Sequence, residues 1–195
     1  MFFQTKSGIG RLNRPWRILL LATLLGGFSV PAQAEFMVAS GQSQLADNTL
    51  NTAARLNLKI TGDPAQALTK GIGLTIVIKT RLYRASLASW FFKVATWEDR
   101  YRVEHHALSN LYTLTHTNTG MTEEFPTLAE TLDAMERYAI TVQLPSGINK
   151  HDTLQIRLQV TLDRNDLPGP LKLVALISRQ WQLRSSWGRW KVSAR

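Results

Sequence analysis

Histidines and acidic residues are the side chains of this sequence that could bind a metal or move a proton. His105 and His106 directly follow Glu104, and this trio comes nearest to a metal-ligand motif. On a strand, adjacent side chains point to opposite faces, so His105 and His106 cannot both reach one ion. Glu104 and His106 share a face, and His116 could add a third ligand from a neighbouring strand. We expect a structural or surface role for these residues, and neither a metal nor a cofactor.

The sequence contains no complete catalytic motif. It has no Gly-x-Ser-x-Gly turn that would expose a nucleophilic serine, no glycine-rich phosphate loop and no cysteine. Hydrolysis by paired carboxylates needs two acids placed across a cleft. Here the acids of Glu98-Asp99 are adjacent, and Glu123-Glu124 precede an acidic helix. We therefore predict no catalytic residue and a protein that is not an enzyme.

The first 34 residues have the pattern of an export signal. Four basic residues and no acid precede an apolar run at 18–30, and small residues stand at Ala32 and Ala34. The run is shorter than the ~20 residues that cross a bilayer as a helix. We expect cleavage between Ala34 and Glu35 and a periplasmic protein. The alternative is a signal that stays uncleaved and anchors the chain in the inner membrane.

The charge of the remaining chain restricts its partners. The predicted signal carries four of the 23 basic residues and none of the 14 acidic residues, which leaves residues 35–195 with a formal net charge of +5. A basic surface favours polyanionic partners. Because an exported protein rarely meets nucleic acid, we expect anionic envelope lipid, anionic polymer or an acidic protein surface instead.

Alternating hydrophobicity predicts strands along most of the chain, and most clearly at 154–162. Only two helices are indicated, one beginning at Asp63-Pro64 and one opened by a capping box of Thr127 and Glu130. The sequence therefore predicts a mainly β protein: a single antiparallel β-sandwich-like domain with one or two short helices. The domain is expected over 54–195, with 35–53 as a flexible lead-in or an edge strand.

Two groups of aromatic and basic residues could form a binding surface. The first lies in a segment predicted as a loop, and the second lies in the basic C-terminal part of the chain. Aromatic rings beside cations are typical of membrane interfaces, although packing within the fold would explain the same residues. The candidate binding surface comprises Trp90, Phe91, Phe92, Trp97, Arg184, Arg189 and Trp190.

The most distinctive stretch is residues 163–190. Since proline cannot donate to a strand ladder, residues 167–171 are predicted to form a rigid, extended crossover that leads into another strand. A last strand should then carry Trp181 and Trp187 on one face, with Trp181 buried against the strand that bears Leu158. The predicted structural motif comprises Asp163, Leu167, Pro168, Pro170, Leu171, Trp181, Leu183 and Trp187.

This stretch resembles the DUF4390 family of exported proteobacterial proteins, a family of unknown function. The family pattern LRLDxxxLPxPLxxxAxxxxxWxLxSxW corresponds here to VTLDRNDLPGPLKLVALISRQWQLRSSW. Earlier segments follow the family order as well: KGIGLTIVIKTRLYR, WFFKVATWEDRYRVEHHALSNLYTL and FPTLAETLDAM. The resemblance implies an envelope location and suggests a link to a nitrogen-regulation-type sensor kinase.

Two functions follow as hypotheses. The first is a non-catalytic periplasmic protein-binding or accessory module, with an inner-membrane sensor protein as its partner. The alternative is an envelope module that binds anionic lipid or polymer.

Overall fold

The computed structural model describes residues 35–85, 91–144, 148 and 152–194. The predicted export segment and Trp90 lie outside the described residues. Strands dominate the described part, which confirms the mainly β class. None of the helices in these ranges is both long enough and apolar enough to cross a lipid bilayer.

Nine strands occur among the described residues and form one sheet. They are β1 (Phe36–Ala46), β2 (Thr49–Leu58), β3 (Leu74–Ala85), β4 (Phe91–His106), β5 (Leu111–His116), β6 (Met121–Phe125), β7 (Arg137–Gln143), β8 (Leu154–Leu162) and β9 (Gly188–Ala194). Their order in the sheet is β6-β5-β4-β3-β8-β9-β1-β2-β7. Neighbouring strands are antiparallel except β1 and β9, which run parallel.

The sheet curls around its own core. Strand β9 joins two halves, because its first residues pair with β8 and its last residues pair with β1. Apolar side chains from both halves belong to one buried cluster, including Leu56 of β2 and Leu158 of β8. Across the core, the hydroxyl of Tyr138 on the edge strand β7 donates to Asp99 Oδ2 on β4 at 2.5 Å. The strands thus form one mixed, curled sheet, whereas the sequence predicted an antiparallel sandwich.

Strand β1 corrects the prediction for residues 35–53. Far from being a loose lead-in or an edge strand, it lies in the interior of the sheet between β9 and β2. Phe36 is 2 % exposed and belongs to the core. The segment is rich in small and polar residues, so its strand character comes from pairing on both sides rather than from its own propensity.

Three α-helices occur among the described residues, one more than predicted. They are α1 (Gly62–Thr69), α2 (Leu128–Glu136) and α3 (Gly169–Ile177). Helix α2 has the expected N-cap, since Thr127 Oγ1 accepts from the backbone N–H of Glu130 at 3.2 Å. Its last residue reaches β2, where the N–H of Leu58 donates to Glu136 Oε1.

The structure also differs from the prediction in the closing stretch. The two prolines do not form an extended crossover: Pro168 is the N-cap of α3, and Pro170 lies in its first turn. Proline fits that turn because the first helical N–H groups have no intrahelical acceptor. Trp181 ends a 3₁₀ turn instead of lying on a strand, and β9 begins only at Gly188.

Strand β4 is longer than the sequence suggested. It begins at Phe91, within the segment that was predicted to be a loop, and pairs with β3 from Phe91 to Val103. The register of this pairing shifts between Leu82 and Tyr83 of β3, which is typical of a β-bulge. Such a bulge disturbs the alternation of apolar residues, which explains why the sequence pattern did not predict a strand here.

Candidate anion-binding surface

Three arginines lie side by side on the outer face of the sheet. Arg81 of β3 is directly opposite Arg157 of β8, and Arg157 is directly opposite Arg189 of β9. Directly opposed residues project from the same face of a sheet, and adjacent strands are about 4.8 Å apart. The three residues, here called the arginine row, therefore cross about 10 Å of the outer face.

Two aromatic rings support the arginine row. The guanidinium carbon of Arg81 lies 4.6 Å from the ring centre of Trp187, and that of Arg157 lies 4.2 Å from the ring centre of Tyr83. A guanidinium that rests on a ring has an attractive cation–π contact and keeps its N–H edges free. The rings thus hold two planar donors in place against the sheet.

No carboxylate neutralises the arginine row within the described part of the chain. The nearby acid Glu98 is paired with Lys79 at 2.7 Å. Among the described residues, Arg157 Nε donates to the neutral amide of Gln155, at 3.2 Å. The Nε–H of Arg81 is enclosed and has no hydrogen-bond partner among the described residues. Like charges directly opposite each other destabilise a sheet, so this arrangement has a cost that an anion would remove.

Further cations extend the row into a larger patch. Lys93 is opposite Tyr83, Lys191 is opposite Gln155, and Arg184 bridges to Thr161, all on the same outer face. All three side chains are exposed. The name basic face is used below for the arginine row together with Lys93, Arg184 and Lys191.

The structure separates the residues of the predicted binding surface. Arg184 and Arg189 lie on the basic face. Phe91 and Phe92 are exposed at the start of β4, while Trp97 is partly buried and packs against core residues.

Trp190 lies over β1, where its Nε1–H donates to Ser43 Oγ at 2.8 Å. A side chain at Gly41 would collide with that ring, at 2.4 Å, so Trp190 has a packing role.

The residues of the predicted structural motif take different positions as well. Leu167, Trp181 and Leu183 are buried in the core, Trp181 in the same cluster as Leu158. Leu171 packs on this cluster from α3. Trp187 does not share a buried face with Trp181, because it lies on the outer face against Arg81. The chain between the two tryptophans forms no regular strand, so the alternation that would point both side chains to one face does not apply.

Asp163 of the predicted motif and the neighbouring Asp166 anchor the start of α3. Asp163 Oδ1 accepts from the N–H of Asn165, and Asp163 Oδ2 pairs with Arg100 at 2.6 Å. Asp166 accepts from the hydroxyl of Thr75 and pairs with Arg102. Both carboxylates thus tie the turn after β8 to β3 and β4. Their contacts explain why acids stand at these two positions.

A second polar cluster, centred on Asp99, contains the groups best suited to proton transfer. Asp99 accepts from Tyr138 and contacts His116 Nε2 at 3.2 Å, and the ring of His116 stacks on Tyr101. Burial, and then the charge of Asp99, raise the pKa of Tyr101 to about 12. Burial and the hydrogen bond to Asp99 also raise the pKa of Tyr138. Both tyrosines therefore stay protonated at neutral pH, and the hydroxyl of Tyr138 links β7 to β4.

The histidines of β4 do not assemble into a metal site. His105 Nε2 contacts Asn110 Oδ1 at 3.2 Å, and Glu104 pairs with Arg102. Among the described residues, no three histidines or acids come together in a group that could hold a metal ion.

A further pair of opposed arginines lies on another part of the sheet. Arg55 of β2 is directly opposite Arg137 of β7, at the side of an open depression of about 420 Å³. Both side chains are exposed. This pair has neither a third arginine nor an aromatic support in the described contacts, and it therefore serves as a comparison for the arginine row.

Comparison with known proteins identifies the family of this chain. The family model for a domain of unknown function, DUF4390, matches residues 33–191. No curated protein and no solved structure matches the chain. The match begins before β1 and ends at Lys191 within β9, so it includes the complete basic face and the closing stretch. The chain therefore belongs to the DUF4390 family.

Proposed function

We propose that this protein is a non-catalytic binding module of the cell envelope that holds a phosphate-bearing anion on its basic face. One observation carries the proposal: Arg81, Arg157 and Arg189 are mutually opposed, and no carboxylate of the described residues pairs with them. Mutually repelling charges weaken the folded state. Their presence in one row is explained if an anion binds between them.

The geometry favours phosphate as the recognised group. Guanidinium groups present planar N–H edges that bind phosphate or carboxylate through two hydrogen bonds. Stacking on Tyr83 and Trp187 fixes the planes of two of these groups. A row about 10 Å long, on strands about 4.8 Å apart, suits a ligand with several phosphates in succession better than one small ion.

The Asp99 cluster supports a binding role over a catalytic one. Its carboxylate is already engaged by Tyr138 and His116. The raised pKa values of its tyrosines keep them protonated, so neither is prepared to act as a base near neutral pH. A protein partner such as an inner-membrane sensor is the other hypothesis from the sequence, and the following experiment separates the two.

The test is a binding titration between the full chain and labelled inorganic polyphosphate. Fluorescence anisotropy of the labelled polymer measures the affinity. We expect the double variant Arg157→Gln with Arg189→Gln to lose at least about tenfold in affinity, since each phosphate contact adds a salt-dependent electrostatic term. Arg55→Gln with Arg137→Gln is the matched control, because it removes the same charge from the other opposed pair. Its affinity should stay within about twofold of the parent.

Two results would contradict this function. Equal losses in both double variants would show that binding follows net charge and not the basic face. Failure of the parent to bind polyphosphate, together with recovery of a membrane sensor from cross-linked envelopes, would favour the protein-binding module instead.

A further inference from the structure

Helix α3 turns its large apolar side chains away from the protein. Leu173, Val174, Leu176 and Ile177 are 68, 47, 52 and 84 % exposed, respectively. At roughly 3.6 residues per turn, these four side chains fall within an arc of about 160°. The opposite side of the helix carries Ala175, which is completely buried. A surface helix normally has the reverse orientation, with its apolar stripe toward the core.

This apolar surface is firmly positioned. Arg164 Nη1 donates to the carbonyl oxygen of Ala175 at 3.2 Å, and Lys172 Nζ donates to that of Asn165 at 2.9 Å. Asp163 and Asp166 hold the preceding turn against β4. The exposure of the four apolar residues is therefore a property of an anchored helix.

Helix α3 adjoins the basic face. Leu176 lines a shallow groove together with Lys79 of β3 and Thr161 of β8, whose side chains point to the outer face. Arg184, a member of the basic face, bridges to Thr161. The exposed apolar side of α3, at Leu176, thus borders the outer face of the sheet next to the basic face. From residue 167 to the end, the sequence contains six basic residues and no acid.

We propose that one anionic lipid bilayer occupies both surfaces, with lipid phosphates on the basic face and α3 in the interface below the headgroups. This inference rests on the proposed function and names the source of the phosphate. A soluble polyanion would explain the arginines but not an exposed apolar helix beside them. Stable peripheral binding to a membrane generally needs two signals, one apolar and one polybasic. This side of the molecule supplies both.

The experiment measures co-sedimentation of the full chain with two kinds of vesicle, one of phosphatidylcholine and one of equal parts phosphatidylcholine and phosphatidylglycerol. Any contribution of residues 1–34 is common to all variants. We expect binding to the anionic vesicles to be at least about tenfold stronger than to the neutral ones. Leu173→Ser with Ile177→Ser should lose at least about tenfold toward anionic vesicles while keeping its polyphosphate affinity within about twofold.

Two further variants keep the test decisive. Leu108→Ser with Met121→Ser removes two comparably exposed apolar residues from turn and edge positions away from α3 and should bind vesicles like the parent. Leu173→Ala with Ile177→Ala retains helix propensity and should show the same loss as the serine variant, which excludes unfolding as the cause.

The outcomes separate this inference from the proposed function. Parent protein that binds polyphosphate but neither kind of vesicle would overturn the bilayer as ligand and leave the anion-binding module intact. Unchanged vesicle binding in both α3 variants would also overturn it. The folded α3 variants could also lose both polyphosphate binding and vesicle binding. That result would assign α3 to a site for a soluble polyanion and would likewise overturn the bilayer as ligand.

Discussion

On strands β3 and β8, the inward side chains of Ile78, Leu158 and Val160 are fully buried, whereas the outward neighbours include the directly opposed pair Arg81 and Arg157. The inner face gains free energy from every side chain that leaves water. The outer face places like charges a few ångströms apart, which weakens the same strand pairing. Under the proposed function, stability selects one face of these strands and anion binding selects the other. Substitutions on the two faces should therefore behave differently.

The largest expected effect is on the inner side, at Trp181. It is 1 % exposed and packs in the core. Trp181→Ala should lower the free energy of unfolding by about 3–5 kcal/mol, because apolar contacts are lost and a cavity remains. Urea denaturation followed by circular dichroism measures this change. Trp187→Ala, on the outer face, is the matched control and should cost less. Equal losses from both tryptophans would contradict the distinction between the faces.

Tyr138→Phe tests the contact that links β7 to β4. Removing the hydroxyl leaves Asp99 without one of its donors, and a hydrogen bond to a charged group contributes about 1.5–3 kcal/mol. We expect a loss of about that size at neutral pH, measured by the same denaturation. An unchanged free energy of unfolding would show that β7 and β4 are held together by apolar packing alone.

The two tyrosines of this cluster also predict the alkaline limit of stability. A pKa raised in the folded state means that the folded protein holds its proton more tightly than the unfolded chain does. For Tyr101, with a folded pKa of about 12 against an ordinary 10.0, this stabilisation is complete below pH 10. It is lost as the pH rises toward 12. Melting temperature should fall over this window, and the fall should be smaller in Tyr101→Phe. An identical fall in parent and variant would assign it to other groups.

The inner face was the part that the sequence could predict. The alternation at 154–162 places its apolar residues inward, and the structure buries Leu154, Ile156, Leu158, Val160 and Leu162 in that way. Burial of Trp181 was predicted correctly too, although its local structure was not. Both predictions depend on side-chain chemistry along a short stretch, which a single sequence contains.

The basic face required information that periodicity does not supply. The alternation gave the outward direction of Arg81 and of Arg157 but not their alignment, since register between strands about 75 residues apart is set by the whole sheet. Helix α3 was missed because proline is equally suited to a crossover and to a first helical turn. Its apolar side chains also face outward, so the usual amphipathic pattern misassigns them to the core.

Pro170→Ala probes the start of α3 with a smaller expected effect. Proline restricts the unfolded chain, and its replacement at a compatible position costs about 0.4–1 kcal/mol. The position is compatible because Pro170 lies in the first turn of the helix. A small drop in melting temperature, with the far-ultraviolet circular dichroism unchanged, is the expected result. A loss as large as that of Trp181→Ala would mean that the proline holds the fold directly.

The smallest effect on stability is expected at the centre of the arginine row. Arg157→Gln relieves repulsion from Arg81 and Arg189 but gives up the cation–π contact with Tyr83. These terms oppose each other and are each about 0.2–1 kcal/mol, so the free energy of unfolding should change by less than about 0.5 kcal/mol.

Added salt should distinguish the parent from Arg157→Gln, because ions screen repulsion between exposed charges. Between low and moderate sodium chloride, the melting temperature of the parent should rise more than that of Arg157→Gln. If the variant instead loses as much stability as a core substitution, the arginines support the fold, and the outer face does not differ from the inner one.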